Sequence, residues 1–224
     1  LAFYAGYTRG LEESGIAPGN AANRNEPLPA IVTQQIDAGL RYAFGEPLRL
    51  VAGVFQVQKP NFTTDEQNLF SELGEVRHQG IEVSLAGELF ERLTLVAGAV
   101  LMRPRVDGPA VDAGRIGSKP VGQTDRTIGV NLNYRLPLLE GLSLDLGFLH
   151  TGERVASSDN RVSAPALTTL DLGARYTFSL FDRPVTLRLQ VKNLTNVYGW
   201  RVIASNTFRT HNARTVYAHV AIDL

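Results

Sequence analysis

The sequence predicts an all-β protein, an antiparallel transmembrane β-barrel of about ten meandering strands. Three observations carry this reading. Apolar and polar residues alternate with a period of two, the alternating runs are long, and tight turns strictly alternate with long loops. A period of two sends successive side chains to opposite faces of a sheet.

The runs cover approximately residues 1–9, 33–44, 48–58, 76–89, 92–102, 124–136, 141–151, 166–179, 184–193 and 213–224. Most hold about ten to fourteen residues. Strands of globular sheets average roughly five or six residues, whereas a tilted strand crossing a bilayer needs about 9 to 11.

The first run is in alternation from residue 1, without a methionine or a basic stretch leading into an apolar segment, so the chain reads as cut from a longer one. In the second, Ile36, Ala38, Leu40, Tyr42 and Phe44 lie opposite Asp37, Gly39 and Arg41. The third, LRLVAGVFQVQ, is apolar on both faces at its centre, and pattern alone does not assign its inside. The fourth, within GEVRHQGIEVSLAGEL, sets Ile81, Val83, Leu85 and Leu89 against Glu82, Ser84 and Glu88. The fifth contains the longest uncharged apolar run, Leu93 to Met102, ten residues where a membrane-spanning helix needs about 20.

In the sixth run, Ile128, Val130, Leu132, Tyr134 and Leu136 oppose Thr127, Asn131, Asn133 and Arg135. The seventh follows the turn PLLEG. The eighth opposes Leu170, Leu172, Ala174, Tyr176 and Phe178 to Asp171, Arg175 and Thr177; the ninth opposes Val185, Leu187, Leu189 and Val191 to Thr186, Arg188, Gln190 and Lys192. The tenth keeps Ala218, Val220, Ile222 and Leu224 in phase.

The short links are GEP, FER, PLLEG and LFDRP, while the intervening links run about 24, 17, 21, 14 and 19 residues. Short turns at one end and long loops at the other match outer-membrane barrels, whose short side is periplasmic. Tyr42, Phe44, Tyr134, Tyr176 and Phe178 gather where strands meet the short turns, as an interfacial aromatic girdle would.

Composition narrows the function. The 224 residues carry 22 Lys and Arg against 22 Asp and Glu, which gives no electrostatic case for nucleic acid. The absence of cysteine excludes disulfides and thiolate chemistry. GRIGSK, residues 114–119, lacks phosphate-loop spacing, and His78, His150, His211 and His219 lack metal-ligand spacing. No nucleophile and base can be paired, so no enzyme is expected and no metal or cofactor is assigned.

Several stretches, taken in order, resemble TonB-dependent outer-membrane receptors of the ferric-siderophore group, in the C-terminal part of their barrel. LAFYAGYTRGLEESGIAP is similar to a strand entering a loop through Gly-Leu-Glu, and LPAIVTQQIDAGLRY to the strand returning from it. GEVRHQGIEVSLAGEL resembles the family's Arg-x-x-Gly-(Ile/Val)-Glu strand, VTLRLQVKNLTNVYGW its penultimate strand ending in Val-x-Asn-Leu, and ARTVYAHVAIDL its terminal strand. His78 and Gln79 depart from the usual residues, and Leu224 stands where a final aromatic is usual. The resemblance implies that residues 1–224 are one portion of a roughly 22-stranded barrel, without its plug domain or its TonB-engaging motif. It implies import of a ferric siderophore energised by TonB, residence in the bacterial outer membrane among lipid and lipopolysaccharide, and insertion by the barrel-assembly machinery.

Two groups of site residues follow. The inward charges Asp37, Arg41, Glu82, Arg135, Asp171, Arg175, Arg188 and Lys192 are of mixed sign, and are expected to pair with one another or with a plug. The last loop, NVYGWRVIASNTFRTHNAR, gathers Tyr198, Trp200, Arg201, Phe208, Arg209, His211 and Arg214. Aromatic rings with guanidinium groups suit a flat anionic ligand, and an iron–siderophore complex is the class the resemblance implies. Arg103, Arg105, Arg115 and Lys119 add charge from the loop between the fifth and sixth strands. The alternative for these loops is ordinary solvation or contact with anionic lipid headgroups. Competing functions are a passive porin, a soluble β-barrel binding protein whose aliphatic face turns inward, and an outer-membrane hydrolase.

Overall fold

The computed structural model describes residues 1–45 and 47–222. Its strands are β1 (Ala2–Glu12), β2 (Ile31–Ala43), β3 (Leu48–Thr64), β4 (Phe70–Phe90), β5 (Leu93–Asp107), β6 (Arg126–Arg135), β7 (Leu142–Thr151), β8 (Arg154–Val155), β9 (Ser163–Ala164), β10 (Leu167–Leu180), β11 (Arg183–Lys192), β12 (Trp200–Ala204), β13 (Thr207–Thr210) and β14 (Thr215–Ile222), with one helical turn, α1 (Pro109–Asp112). Ten of them form one antiparallel sheet in the order β1-β2-β3-β4-β5-β6-β7-β10-β11-β14. Each strand of this sheet pairs with its neighbour along the chain, and β1 and β14 are its two open edges.

The register resolves both faces. Opposed residues of an antiparallel pair share a face. Ile36, Val54, Ile81, Leu101 and Ile128 therefore lie on one face with Leu146, Leu172, Leu189 and Val220. Asp37, Glu82, Asp171 and Lys192 lie on the other. The strand that pattern left open is assigned by the same rule: Gly53 stands opposite Gly39 and Glu82, so Val51, Gly53 and Phe55 are on the polar face and Leu50, Ala52 and Val54 on the aliphatic one.

Most of the aliphatic face is uncovered among the described residues. Ile36 is 56% exposed, Val54 55% and Leu189 50%, while the buried apolar residues are mostly alanines and no large side chain is fully buried among the described residues. A soluble barrel would hide this face in a core. Its exposure instead suits lipid as the covering medium. Tyr42 and Phe44 meet edge-on at 4.6 Å, and Tyr176 and Phe178 stack at 5.3 Å, both pairs next to the tight turns.

Those turns use left-handed backbone. Arg92 has φ 70°, and Phe181 and Asp182 have φ 50° and 58° in the β10–β11 turn, consistent with the twist that favours mirror-image turns in hairpins. Glu46, in the GEP turn, lies outside the described residues, as do Asp223 and the terminal Leu224.

One expected loop is absent. The link between the third and fourth runs shrinks to residues 65–69, because β3 and β4 continue pairing to Thr64↔Phe70. Pro60, a strand breaker in isolation, is absorbed at a register shift between Pro60 and Phe62. Phe62 and Phe70 then stack at 6.3 Å near the tip. β5 likewise runs to Asp107, past the expected end at residue 102. The remaining long loops contain structure of their own: the hairpins β8–β9 and β12–β13.

Candidate functional site

Two regions concentrate polar chemistry: the polar face of the sheet and the loops at its long-loop end.

On the polar face, ion pairing is partial. Lys192 Nζ donates to Asp171 Oδ2 at 2.9 Å, and Arg135 to Glu88 Oε1 at 2.8 Å. Arg175 Nε reaches Ser143 Oγ at 3.3 Å, Gln35 donates to Asp37 at 3.2 Å, and the guanidinium of Arg41 lies 5.2 Å from the centre of the Tyr4 ring. Arg188 stands directly opposite Arg175 and His219, and its Nε is buried without a partner. Glu82 faces Gly53 and Val100 and makes no ion pair among the described residues. Of the charges expected to pair with one another, Asp171 and Lys192 form an ion pair, while Arg188 and Glu82 stand on the polar face without one among the described residues. A shallow polar hollow is lined by Asn131, Asn133, Asp145, Asp171, Gln190 and Lys192. Asp145 accepts Asn133 Nδ2 at 2.7 Å through one oxygen and leaves the other, buried, without a partner. Sequence reasoning passed over Asp145, although its place in LSLDLG puts it in phase with Ser143.

The same face carries close aromatic–glycine contacts. The Tyr4 hydroxyl covers Gly39 and Gly53, where an added Cβ would stand 2.7 and 2.6 Å from it. The Phe55 ring covers Gly80 in the same way. Glycine is required where a ring lies flat against a strand.

The loops are bound to each other by asparagines. Asn23 exchanges two hydrogen bonds with the backbone of Phe70, each at 2.9 Å, which ties the β1–β2 loop to the β3–β4 tip. Asn160, at φ 60°, accepts from Lys119 N at 2.8 Å and donates to Lys119 O at 2.9 Å, tying the β5–β6 loop to the β7–β10 loop. The N–H of Asn206 donates to Ala156 O at 2.7 Å and brings the last loop onto the same group. The Ser157 hydroxyl and the backbone N–H of Arg161 hold the Asp159 carboxyl below its usual range.

Asn193 anchors the last loop. It is 3% exposed, takes φ 51°, accepts Val197 N at 2.8 Å, and donates to Val197 O at 2.9 Å and to Asn212 O at 3.0 Å. Both ends of the loop are thus gathered on one amide. Beyond it, Tyr198 and Trp200 meet edge-on at 5.6 Å, and Trp200 and Phe208 at 6.1 Å.

The aromatic and cationic residues of this loop are brought near one another but onto different faces. Val202 pairs with Phe208 and Trp200 with Thr210, so the rings share one face of the β12–β13 hairpin; Arg201 pairs with Arg209 on the other. Arg154 of β8 has its pKa lowered by burial and then by the charge of Arg201. Arg154 was not foreseen, since a lone arginine in a loop carries no sequence signal. Arg103 and Arg105 do not join this group. They are in phase with Leu101 on β5, opposite Gln79 and Arg77, and so stand on the aliphatic face. The sequence places them in a loop because the apolar run ends at residue 102, whereas β5 continues to Asp107. Among the described residues, no cluster of His, Asp or Glu is arranged to hold a metal.

Comparison with known proteins agrees with this architecture. The family model described as TonB dependent receptor-like, beta-barrel, matches residues 1–194. The ferrichrome receptor FcuA of Yersinia enterocolitica is 27% identical over 212 residues, which cover 91% of this chain and 27% of that protein. The ferrioxamine B receptor of Salmonella typhimurium is 24% identical, over 88% of this chain and 28% of its own length. Among solved structures, BauA, the ferric preacinetobactin receptor of Acinetobacter baumannii, superposes with a TM-score of 0.85 at 27% identity, covering 99% of this chain and 34% of that one. The chain thus spans about a quarter of the length of the curated relatives it matches. With the family model covering most of its length, the chain belongs to the TonB-dependent receptor β-barrel family.

Proposed function

We propose that these strands are the C-terminal part of a roughly 22-stranded outer-membrane receptor that captures a ferric siderophore and imports it with energy from TonB. The observation that carries this is the family match over residues 1–194, joined to named relatives that are receptors for ferrichrome and ferrioxamine B. The family is one of bacterial outer-membrane proteins, which supports an aliphatic face turned to lipid and long loops turned away from the cell. In this reading residues 1–224 form a single barrel portion, and the plug lies elsewhere in the protein.

Capture falls to the loop group built on Asn193 and Asn160. Tyr198, Trp200 and Phe208 offer an aromatic wall, and Arg201, Arg209 and Arg154 a cationic one, so a ligand with flat and anionic parts would bridge the hairpin edge. The inward charges Asp37, Arg41, Glu82, Arg135, Asp171, Arg175, Arg188 and Lys192 line the barrel wall. Arg188 and Glu82, unpaired here, are placed to meet a plug. Lipopolysaccharide and the barrel-assembly machinery are the further partners expected of such a barrel.

The test is uptake. The full receptor, expressed in a host lacking its own siderophore receptors, should transport radiolabelled iron supplied as a hydroxamate or catecholate chelate, and transport should cease when TonB is deleted. Transport that persists without TonB would establish a passive channel instead.

A further inference from the structure

The loops at the long-loop end fall into two tied groups. The β1–β2 loop and the β3–β4 tip are joined through Asn23 and through Asn68, whose side-chain amide donates to Asn20 O at 2.6 Å. The β5–β6, β7–β10 and last loops are joined separately, through Asn160, through the N–H of Asn206, and by a bridge between Thr124 and Arg154. Ala110, Ala156 and Ala164 are buried within this second group, which therefore has a small core of its own.

Three arginines are carried on the backbone of this second group. Arg154 pairs with Ala164 across β8–β9, and β9 lies beside β12, which carries Arg201. Arg201 stands directly opposite Arg209 in the β12–β13 register. Like charges directly opposite one another destabilise a strand pair, and the charge of Arg201 reaches Arg154 as well. Among the described residues none of the three makes an ion pair, and Asp159 of the β7–β10 loop is already occupied by Ser157 and, at 3.6 Å, by Arg161. The group thus holds three positive charges close together, on a tied backbone, without a counter-charge.

We propose that Arg154, Arg201 and Arg209 select a chelate with net negative charge, iron(III) held by catecholates or hydroxycarboxylates, over iron(III) held by hydroxamates. Three singly charged hydroxamates leave an iron(III) complex neutral, whereas three doubly charged catecholates leave it a trianion, and citrate also leaves it anionic. A neutral complex would satisfy the aromatic face of Tyr198, Trp200 and Phe208 and leave the guanidinium groups uncompensated. An anionic complex satisfies both, and relieves the repulsion of Arg201 with Arg209 and Arg154. The proposal rests on the receptor reading above and goes beyond it by fixing the charge of the ligand.

The experiment titrates the full receptor, purified in detergent, with three ferric complexes: a neutral trihydroxamate, a tris-catecholate and a citrate complex. The anionic complexes should bind roughly tenfold or more tightly than the neutral one, and the difference should shrink as salt is raised. R154Q/R201Q/R209Q should bring the anionic complexes to about the affinity of the neutral one. Tighter binding of only one anionic complex supports the proposal and identifies the donor groups. A neutral complex bound as tightly as both anions, no binding of either anion, or a preference that survives in the triple variant would overturn it. TonB-dependent uptake of each complex is measured in parallel. Uptake of the neutral complex alone keeps the receptor reading and sinks this one, whereas uptake that ignores TonB sinks only the receptor reading. Should the triple variant fail to fold, the three complexes and their salt dependence on the unaltered receptor decide.

Discussion

Asp171 accepts the backbone N–H of Asn193 at 2.8 Å through one oxygen and the Lys192 ammonium at 2.9 Å through the other. One carboxylate on the sheet therefore fixes the first residue of the last loop, and the amide of that residue then holds the loop's two ends. Sheet and last loop share a single hydrogen-bond chain.

Asn193→Ala would leave the Val197 N–H and the carbonyls of Val197 and Asn212 without their partner, at about 1–3 kcal/mol. Asn193→Gly preserves the left-handed backbone but loses the same bonds. Both should raise amide exchange across residues 197–212 while leaving β10 and β11 protected, with the alanine variant the worse of the two.

Gly39 and Gly53 separate two kinds of crowding. A Cβ on Gly53 would meet the Tyr4 hydroxyl at 2.6 Å and backbone only at 3.2 Å, so Gly53→Ala should be substantially rescued by Tyr4→Ala. A Cβ on Gly39 would stand 2.3 Å from Ala52 O as well, and Gly39→Ala should not be rescued. The expected loss is about 1–3 kcal/mol before rescue, measured by unfolding of the refolded barrel.

The assignment of faces predicts an asymmetry within one strand. Val83→Arg turns a charge toward lipid and should cost roughly 2–4 kcal/mol near the midplane in vesicle refolding, whereas Ser84→Arg, on the polar face, should cost far less. A larger loss for Ser84→Arg would mean that the faces are reversed, and equal losses that neither face alone meets lipid.

The Asp159 carboxyl titrates below its unfolded range because the folded turn binds its charged form. A depressed folded pKa adds stability that is present above the unfolded value, about 4, and is lost as pH falls through the folded value. Amide exchange at Arg161 and Val162 should therefore rise on acidification below about pH 4, and Asp159→Asn should remove that dependence.

If the last hairpin captures ligand on two faces, Trp200→Ala and Arg209→Ala remove separate contacts. Each should weaken binding of a ferric chelate about tenfold, and the double variant should show nearly additive losses in titration.

Most of the wall was legible. Strict alternation located the strands of the main sheet, and the side of charges within the alternating runs followed from parity, as Glu82 against Ile81 and Val83 shows. The β3–β4 extension was not legible, because Pro60 and the polar residues after it have turn composition, and only the partner strand shows that a bulge absorbs the proline. The ring cluster of Tyr198, Trp200 and Phe208 could be named from composition, but its separation from Arg201 and Arg209 depends on the hairpin register, which neighbouring sequence does not encode. Arg103 and Arg105 lie on β5 and not in the loop for the simplest reason: β5 is longer than its apolar run.

The order of the sheet also bears on how it forms. Since each of its ten strands pairs only with the strand before and after it, no pairing requires a distant segment to arrive first. Tight turns such as Phe181–Asp182 close with little loss of chain entropy, and the hairpins β8–β9 and β12–β13 shorten the loops that would otherwise close slowly. The sheet can therefore grow by successive addition of hairpins at an open edge, each step presenting its unpaired backbone to the next strand of the same chain.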